Sequence, residues 1–138
     1  MTQPRESKTP AEPERPPSFE PAIRTFAMPA DANANGDIFG GWLMAQMDIA
    51  GGVTAARRAQ GRCVTVAVDA MAFHRPVMIG DLLSCYAKIV RIGRSSMTIE
   101  IESWVERRLT GRHEKVTEGH FTYVAIDDDG RPRPVPKE

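Results

Sequence analysis

The sequence predicts an α+β domain in which one long helix is covered by a mostly antiparallel sheet of about five strands. Three observations predict it. The stretch NGDIFGGWLMAQMDIAGG, from Asn35 to Gly52, starts as a turn and becomes a helix that is apolar on nearly every side. Segments of alternating apolar and polar residues follow it, the pattern of half-buried strands. The connections between the late strands are of hairpin length, which makes neighbours antiparallel.

Residues 1–21, MTQPRESKTPAEPERPPSFEP, hold six of the 11 prolines and few apolar side chains, the composition of a disordered or polyproline-like tail. Ile23 to Met28 is a short run of strand type. Asp31 to Asp37 (DANANGD) is dense in turn formers. Gly40 and Gly41 lead into a helix over roughly Trp42 to Gln60, and Gly61 is placed to stop it. Val64, Val66 and Val68 then alternate with Thr65, Ala67 and Asp69, which puts the valines on one face. His74-Arg75-Pro76 breaks that run. Leu83, Cys85, Ala87 and Ile89 alternate with Ser84, Tyr86, Lys88 and Val90, ahead of a hairpin turn at Ile92-Gly93-Arg94-Ser95. Met97, Ile99, Ile101, Ser103 and Val105 face one way on the next strand, and Thr98, Glu100, Glu102, Trp104 and Glu106 the other. Val116 to Ile126 is the last strand, ended by Asp127-Asp128-Asp129-Gly130. RPRPVPKE, residues 131–138, reads as a flexible tail, so the folded domain is residues 22–130.

Composition narrows the function. The 138 residues suit one domain, and 18 basic against 18 acidic side chains argues against a nucleic-acid module. Cys63 and Cys85 have no partner at metal-ligand spacing, and neither do the three histidines, so no metal is expected. No run reaches the roughly 18 apolar residues of a membrane span, and the N-terminus lacks the apolar centre of a signal peptide. The expected location is the cytoplasm.

A helix apolar all round is buried all round, so the sheet can cover one side and a second subunit the other. Gly51 and Gly52 each weaken the helix by about 1 kcal/mol against Ala, which makes sense if another backbone approaches there. Asp48 stands in the middle of this helix. A neighbouring amide or hydroxyl could bond it so that it only fixes the packing. Alternatively it is a carboxylate aimed at a water or a carbonyl. At the helix start, unpartnered first-turn N–H groups and the helix dipole could hold a developing oxyanion.

DANANGDIFGGWLMAQMDIAGG, with TVAVDAMAFHRPVMIGD and IGRSSM, resembles the bacterial YciA-type acyl-CoA thioester hydrolases of the hotdog-fold superfamily, over about residues 23–130. The resemblance implies a hotdog fold and a homo-oligomer built from dimers, often a hexamer as a trimer of dimers, with active sites between subunits. It implies that Asp48 is a general base or a nucleophile on the thioester carbonyl. Asn33, from the opposite subunit, would orient water or substrate, and Gly41 would give its N–H to the thioester oxygen. Arg94, Ser95 and Ser96 would lie beside coenzyme A, which is part of the substrate and product rather than a cofactor. Many relatives have His before the Gly-Gly pair where this chain has Phe39. That departure weakens a His-dependent dehydratase reading and leaves the Asp-dependent hydrolase intact. The alternative is a hotdog module that senses acyl-CoA without cleaving it.

Other residues carry less. His74, His113 and His120 read as surface or structural residues. Asp37 reads as part of a turn, Asp69 as a possible pocket lining, and Arg131, Arg133 and Lys137 as a basic tail. Ser95-Ser96 lacks the nucleophile-elbow pattern of serine hydrolases.

Overall fold

A computed structural model describes residues 14–138. The expectation for residues 1–13 of the Pro-rich tail lies outside the described residues. Strand β1 (Ile23–Phe26) is followed by a short 3-10 turn (Pro29–Asp31) and helix α1 (Gly40–Ala59). Then come β2 (Cys63–Phe73), β3 (Leu82–Ile92), β4 (Ser96–Glu106) and β5 (His113–Ala125). All pairings are antiparallel, in the order β1-β3-β4-β5-β2. The strands before and after the helix therefore lie on opposite edges of the sheet. To join them α1 must cross the whole inner face, and it touches all five strands.

One face of α1 does the packing. Leu43, Met47, Ala50, Gly51, Ala55 and Ala59 are buried, at the three- and four-residue spacing of a helical stripe. They meet an inner sheet face of Leu83, Cys85, Met97, Ile99, Ile101, Phe121 and Tyr123. A fully buried side chain such as Met47 contributes about 1.5–3 kcal/mol by leaving water. The other side of the helix is uncovered within the protomer, and Ile49 is 51% exposed. Among the described residues no helix is long and apolar enough to cross a membrane.

The strand pattern holds where the ladder is regular. On β4, Met97, Ile99, Ile101, Ser103 and Val105 are buried as expected. A register shift between Ser103 and Trp104 then turns Trp104 into a buried position too. On β2 the expected single face of valines is wrong. A bulge between Thr65 and Ala67 inserts an extra residue and inverts the alternation. Thr65 is paired with Tyr123 and Val68 with Phe121, so these two face the helix. Val64, paired with Val124, and Asp69, paired with His120, face outward. Asp69 thus joins the outer charged face, where His120 lies 3.8 Å from Glu100.

Two glycine expectations need correction, those for Gly61 and Gly51. The left-handed residue that ends α1 is Gln60, at φ 55°, one position before Gly61. Gly61 is small for another reason: a Cβ there would sit 2.7 Å from the Arg133 guanidinium. At Gly51 the close neighbours are side chains, Tyr123 and Ile101, not another backbone. Gly52 has nothing within 4 Å of a built Cβ.

Both Pro-rich ends make contacts with the body. Glu14 forms a two-pronged ion pair with Arg75 at 3.1 Å, and Phe19 meets Tyr86 edge-on at 5.9 Å. The segment after Gly130, which composition assigns to a flexible tail, is tied down. Arg133 N donates to Ala125 O at 2.9 Å, Val135 N donates to Arg94 O at 2.8 Å, and the Val135 side chain is buried. Arg58 adds a 2.6 Å bond to Pro136 O. Proline-rich composition hides this, because the stabilising groups are two backbone N–H donors and one apolar side chain.

Burial also sets thiol chemistry. Cys85 is buried beside Ser103, 3.4 Å from its hydroxyl. Desolvation pushes the thiol up to about 11, against a smaller opposing effect of that hydrogen bond. At pH 8 only on the order of one Cys85 in a thousand is thiolate, and the thiolate is the reactive form. We expect Ellman's reagent at pH 8 to leave Cys85 unmodified over minutes in the native protein and to modify it at once in guanidinium. Rapid native modification, mapped by mass spectrometry, would show that this part of the sheet opens.

Candidate active site

Asp48 is half-buried on the third turn of α1. Its Oδ1 accepts a hydrogen bond from Thr65 Oγ1 at 2.7 Å and another from Tyr123 Oη at 2.8 Å. The same Tyr123 hydroxyl lies 3.0 Å from the Asp48 backbone carbonyl. No hydrogen bond to Oδ2 occurs among the described residues. Thr65 and Tyr123 are direct partners across β2 and β5, so their side chains share the inner face and converge on one oxygen. Sequence reading missed both. They lie 17 and 75 positions from Asp48, and only the strand register brings them together.

Tyr123 is itself buried, at 1% exposure, and stacks nearly parallel to Phe121 with ring centroids 6.5 Å apart. Burial, and next the bond to the Asp48 carboxylate, push the phenol upward. It therefore remains a protonated donor across the physiological range.

Asn33 organises the turn that enters the helix. Its Oδ1 accepts from Asn35 N at 2.8 Å and Asp37 N at 3.1 Å, and its own N–H donates to Asp37 O at 2.7 Å. The Asn33 amide oxygen is thus engaged locally. Gly41 is the second residue of α1, exposed, with nothing within 4 Å of a built Cβ. Trp42 N and Leu43 N both turn back to Phe39 O, while Gly41 N–H has no such partner. The helix start is therefore open to an approaching oxygen, with the dipole favouring negative charge.

Arg94 and Ser95 lie in the turn between β3 and β4, as the sequence predicts, and Ser96 is the first residue of β4. Their backbone carbonyls are committed: Arg94 O accepts from Val135 N, Ser95 O from Ala125 N, and Ser96 O from Gly93 N. Arg94 is exposed, and the two seryl residues are half-buried. The chain segment bonded to this turn also reaches Arg58, near the far end of α1. At about 1.5 Å of rise per residue, Gly41 and Arg58 are roughly 25 Å apart along the helix.

Within one protomer, then, the candidate residues fall into three places: the helix start with Asn33 and Gly41, the helix middle with Asp48, and the β3–β4 turn at the other end. Among the described residues no hydrogen bond joins Asp48 to Asn33 or to the turn. His74 lies 3.6 Å from Glu118 and His113 3.6 Å from Glu106, on the surface. Among the described residues no three His, Cys, Asp or Glu side chains gather as metal ligands would.

Comparison with known proteins gives consistent matches. A family model described as the thioesterase superfamily matches residues 35–111. The chain is 54% identical over 123 residues to the acyl-CoA thioester hydrolase YciA of Salmonella typhimurium, covering 87% of this chain and 92% of that one. Among solved structures it is similar to a hexameric thioesterase from Yersinia pestis, with a TM-score of 0.84 and 56% identity over 88% of this chain and 99% of that one. It is also similar to a hexameric broad-specificity acyl-coenzyme A thioesterase, with a TM-score of 0.84 and 46% identity over 90% and 86% of the two chains.

Proposed function

Because the chain belongs to the thioesterase superfamily and has its hotdog fold, we propose that it hydrolyses short- to medium-chain acyl-CoA to a free acid and coenzyme A, with Asp48 as the reacting carboxylate. The observation that carries this reading is a carboxylate fixed by two hydroxyls in the middle of a helix whose first half is otherwise apolar but for Gln46. Asp48 takes a proton from water as the water oxygen adds to the thioester carbonyl carbon. The carbonyl oxygen becomes an oxyanion and is met by the Gly41 N–H. Collapse breaks the C–S bond, and the proton passes to the departing thiolate. Asp48 can instead attack the carbonyl itself, giving an anhydride that water opens. No cofactor takes part: coenzyme A enters and leaves within substrate and product.

Two full turns of helix separate Gly41 from Asp48 in one protomer. In this reading Asn33 and Gly41 therefore serve the Asp48 of a second protomer, across the face of α1 that the sheet leaves uncovered. The assembly is a homo-oligomer built from dimers. The hexameric relatives support a hexamer, which three such dimers would make. Arg94, with the hydroxyls of Ser95 and Ser96, offers a cation and two donors to the phosphates or the pantetheine arm. The free thiols of Cys63 and Cys85 suit a reducing compartment such as the cytoplasm.

A free-thiol assay across acyl chain lengths tests the reading. Thiol release is expected from butyryl- through decanoyl-CoA, with a broad optimum. Binding of acyl-CoA without thiol release would select the non-catalytic sensor instead. Light scattering at the same protein concentration reads the assembly mass.

A further inference from the structure

We propose that Tyr123 is a positioning residue for Asp48: together with Thr65 it clamps Oδ1 and leaves Oδ2 as the oxygen that reacts. This rests on Asp48 being the reacting carboxylate. A carboxylate on a helix can turn about two side-chain bonds, and an apolar setting supplies nothing to stop it. Here two hydroxyls from adjacent strands meet the same oxygen at 2.7 and 2.8 Å. Tyr123 has one proton and two acceptors near it, the Asp48 side chain and the Asp48 backbone carbonyl. The shorter contact, 2.8 Å, gives that proton to the carboxylate, and the carbonyl at 3.0 Å is a second acceptor that it can share or turn to. With Oδ1 taken, Oδ2 alone is free for a water or a thioester carbon.

The protein arranges for this contact at some expense to the helix. The Tyr123 hydroxyl reaches Asp48 by passing over the helix backbone at Gly51, where a Cβ would lie 2.3 Å from it. Any other residue at that position would block the path. The ring lies nearly parallel to Phe121 and is almost wholly buried, so the hydroxyl is an interior point and not a surface group that happens to touch. Upward displacement of its acidity keeps the proton on the phenol, as a donor requires.

Tyr123→Phe removes the clamp and keeps the ring. The expected result is a kcat lowered about 10- to 100-fold, the range for a misplaced reacting group, with KM for butyryl-CoA within about twofold. Ile101→Val is the control. It trims the other side chain that overlies Gly51 and should leave kcat within about twofold. A purely structural role for Tyr123 predicts instead that both variants lower melting temperature and that neither separates kcat from KM. If Tyr123→Phe does not assemble, Thr65→Val removes the second donor from an exposed position and should lower kcat about tenfold at unchanged KM. Wild-type kcat in Tyr123→Phe, or in Thr65→Val where the first is unfolded, overturns the clamp. Asp48→Ala is run beside them. If it keeps full turnover, the reading of Asp48 itself has failed. If it is inactive while Tyr123→Phe is unimpaired, only the clamp has failed.

Discussion

Asp48→Ala is expected to lower hydrolysis of butyryl-CoA by about 10²- to 10⁴-fold while the protein stays folded and assembled. The activity loss follows from removing the carboxylate that takes a proton from water in the proposed site. Retained folding follows from the geometry around it. A buried hydroxyl left without an acceptor would destabilise the protein by about 1–3 kcal/mol. Tyr123 Oη is not left so, because the Asp48 backbone carbonyl remains 3.0 Å away and can accept its proton. Thr65 is exposed and turns to water. Activity and stability therefore come apart in this variant. Were Asp48 only a packing group, the pattern would reverse, with a lower melting temperature and unchanged turnover. Thiol release measured beside a thermal melt, at fixed protein concentration, decides between them.

Gly51→Ala should lower both stability and turnover, although Ala is the better helix former. Propensity alone favours Ala by about 1 kcal/mol. Against it, the new Cβ would lie 2.3 Å from Tyr123 Oη and 2.8 Å from both Tyr123 Cζ and Ile101 Cδ1. The phenol is a rigid, buried ring, so it yields only by shifting as a whole and at greater cost than a long aliphatic chain. Overpacking of this kind destabilises by about 1–3 kcal/mol, which outweighs the propensity gain. We expect a fall of about 5 °C in melting temperature. Turnover should drop as well, because the displaced hydroxyl no longer holds Asp48. Gly52→Ala is the internal comparison. Its Cβ meets nothing within 4 Å, so within the protomer it should only gain helix propensity. An equally destabilised Gly52→Ala would place a second subunit against that position.

The helix and β4 were legible in the sequence because burial there follows a regular period, and the period is local. The hotdog arrangement followed from the order of elements together with the family resemblance. What the sequence concealed shares one physical trait: it depends on register or on backbone donors. The bulge after Thr65 changes which side chains of β2 face the helix, and nothing in Val64-Thr65-Val66-Ala67 announces it. Thr65 and Tyr123 meet Asp48 only because β2 and β5 are paired in that register. Gly51 looked like a place for a neighbouring backbone, since sequence can show that space is needed but not what fills it. RPRPVPKE looked free because proline-rich composition says nothing of the N–H groups of Arg133 and Val135.

Strand β2 also has a meaning for how copies of the chain find one another. It is an eleven-residue strand at the edge of the sheet, bonded among the described residues to β5 on one side only. A straight, open edge of that length would act as a template for any passing extended peptide. This edge is not straight. Irregularities at Thr65/Ala67 and Asp69/Ala72, with Ala70 held at φ 52°, break its row of donors and acceptors into short, uneven groups. A stranger's regular strand can match only one such group at a time, so the crooked border discourages random aggregation while the protomer waits for its proper mate.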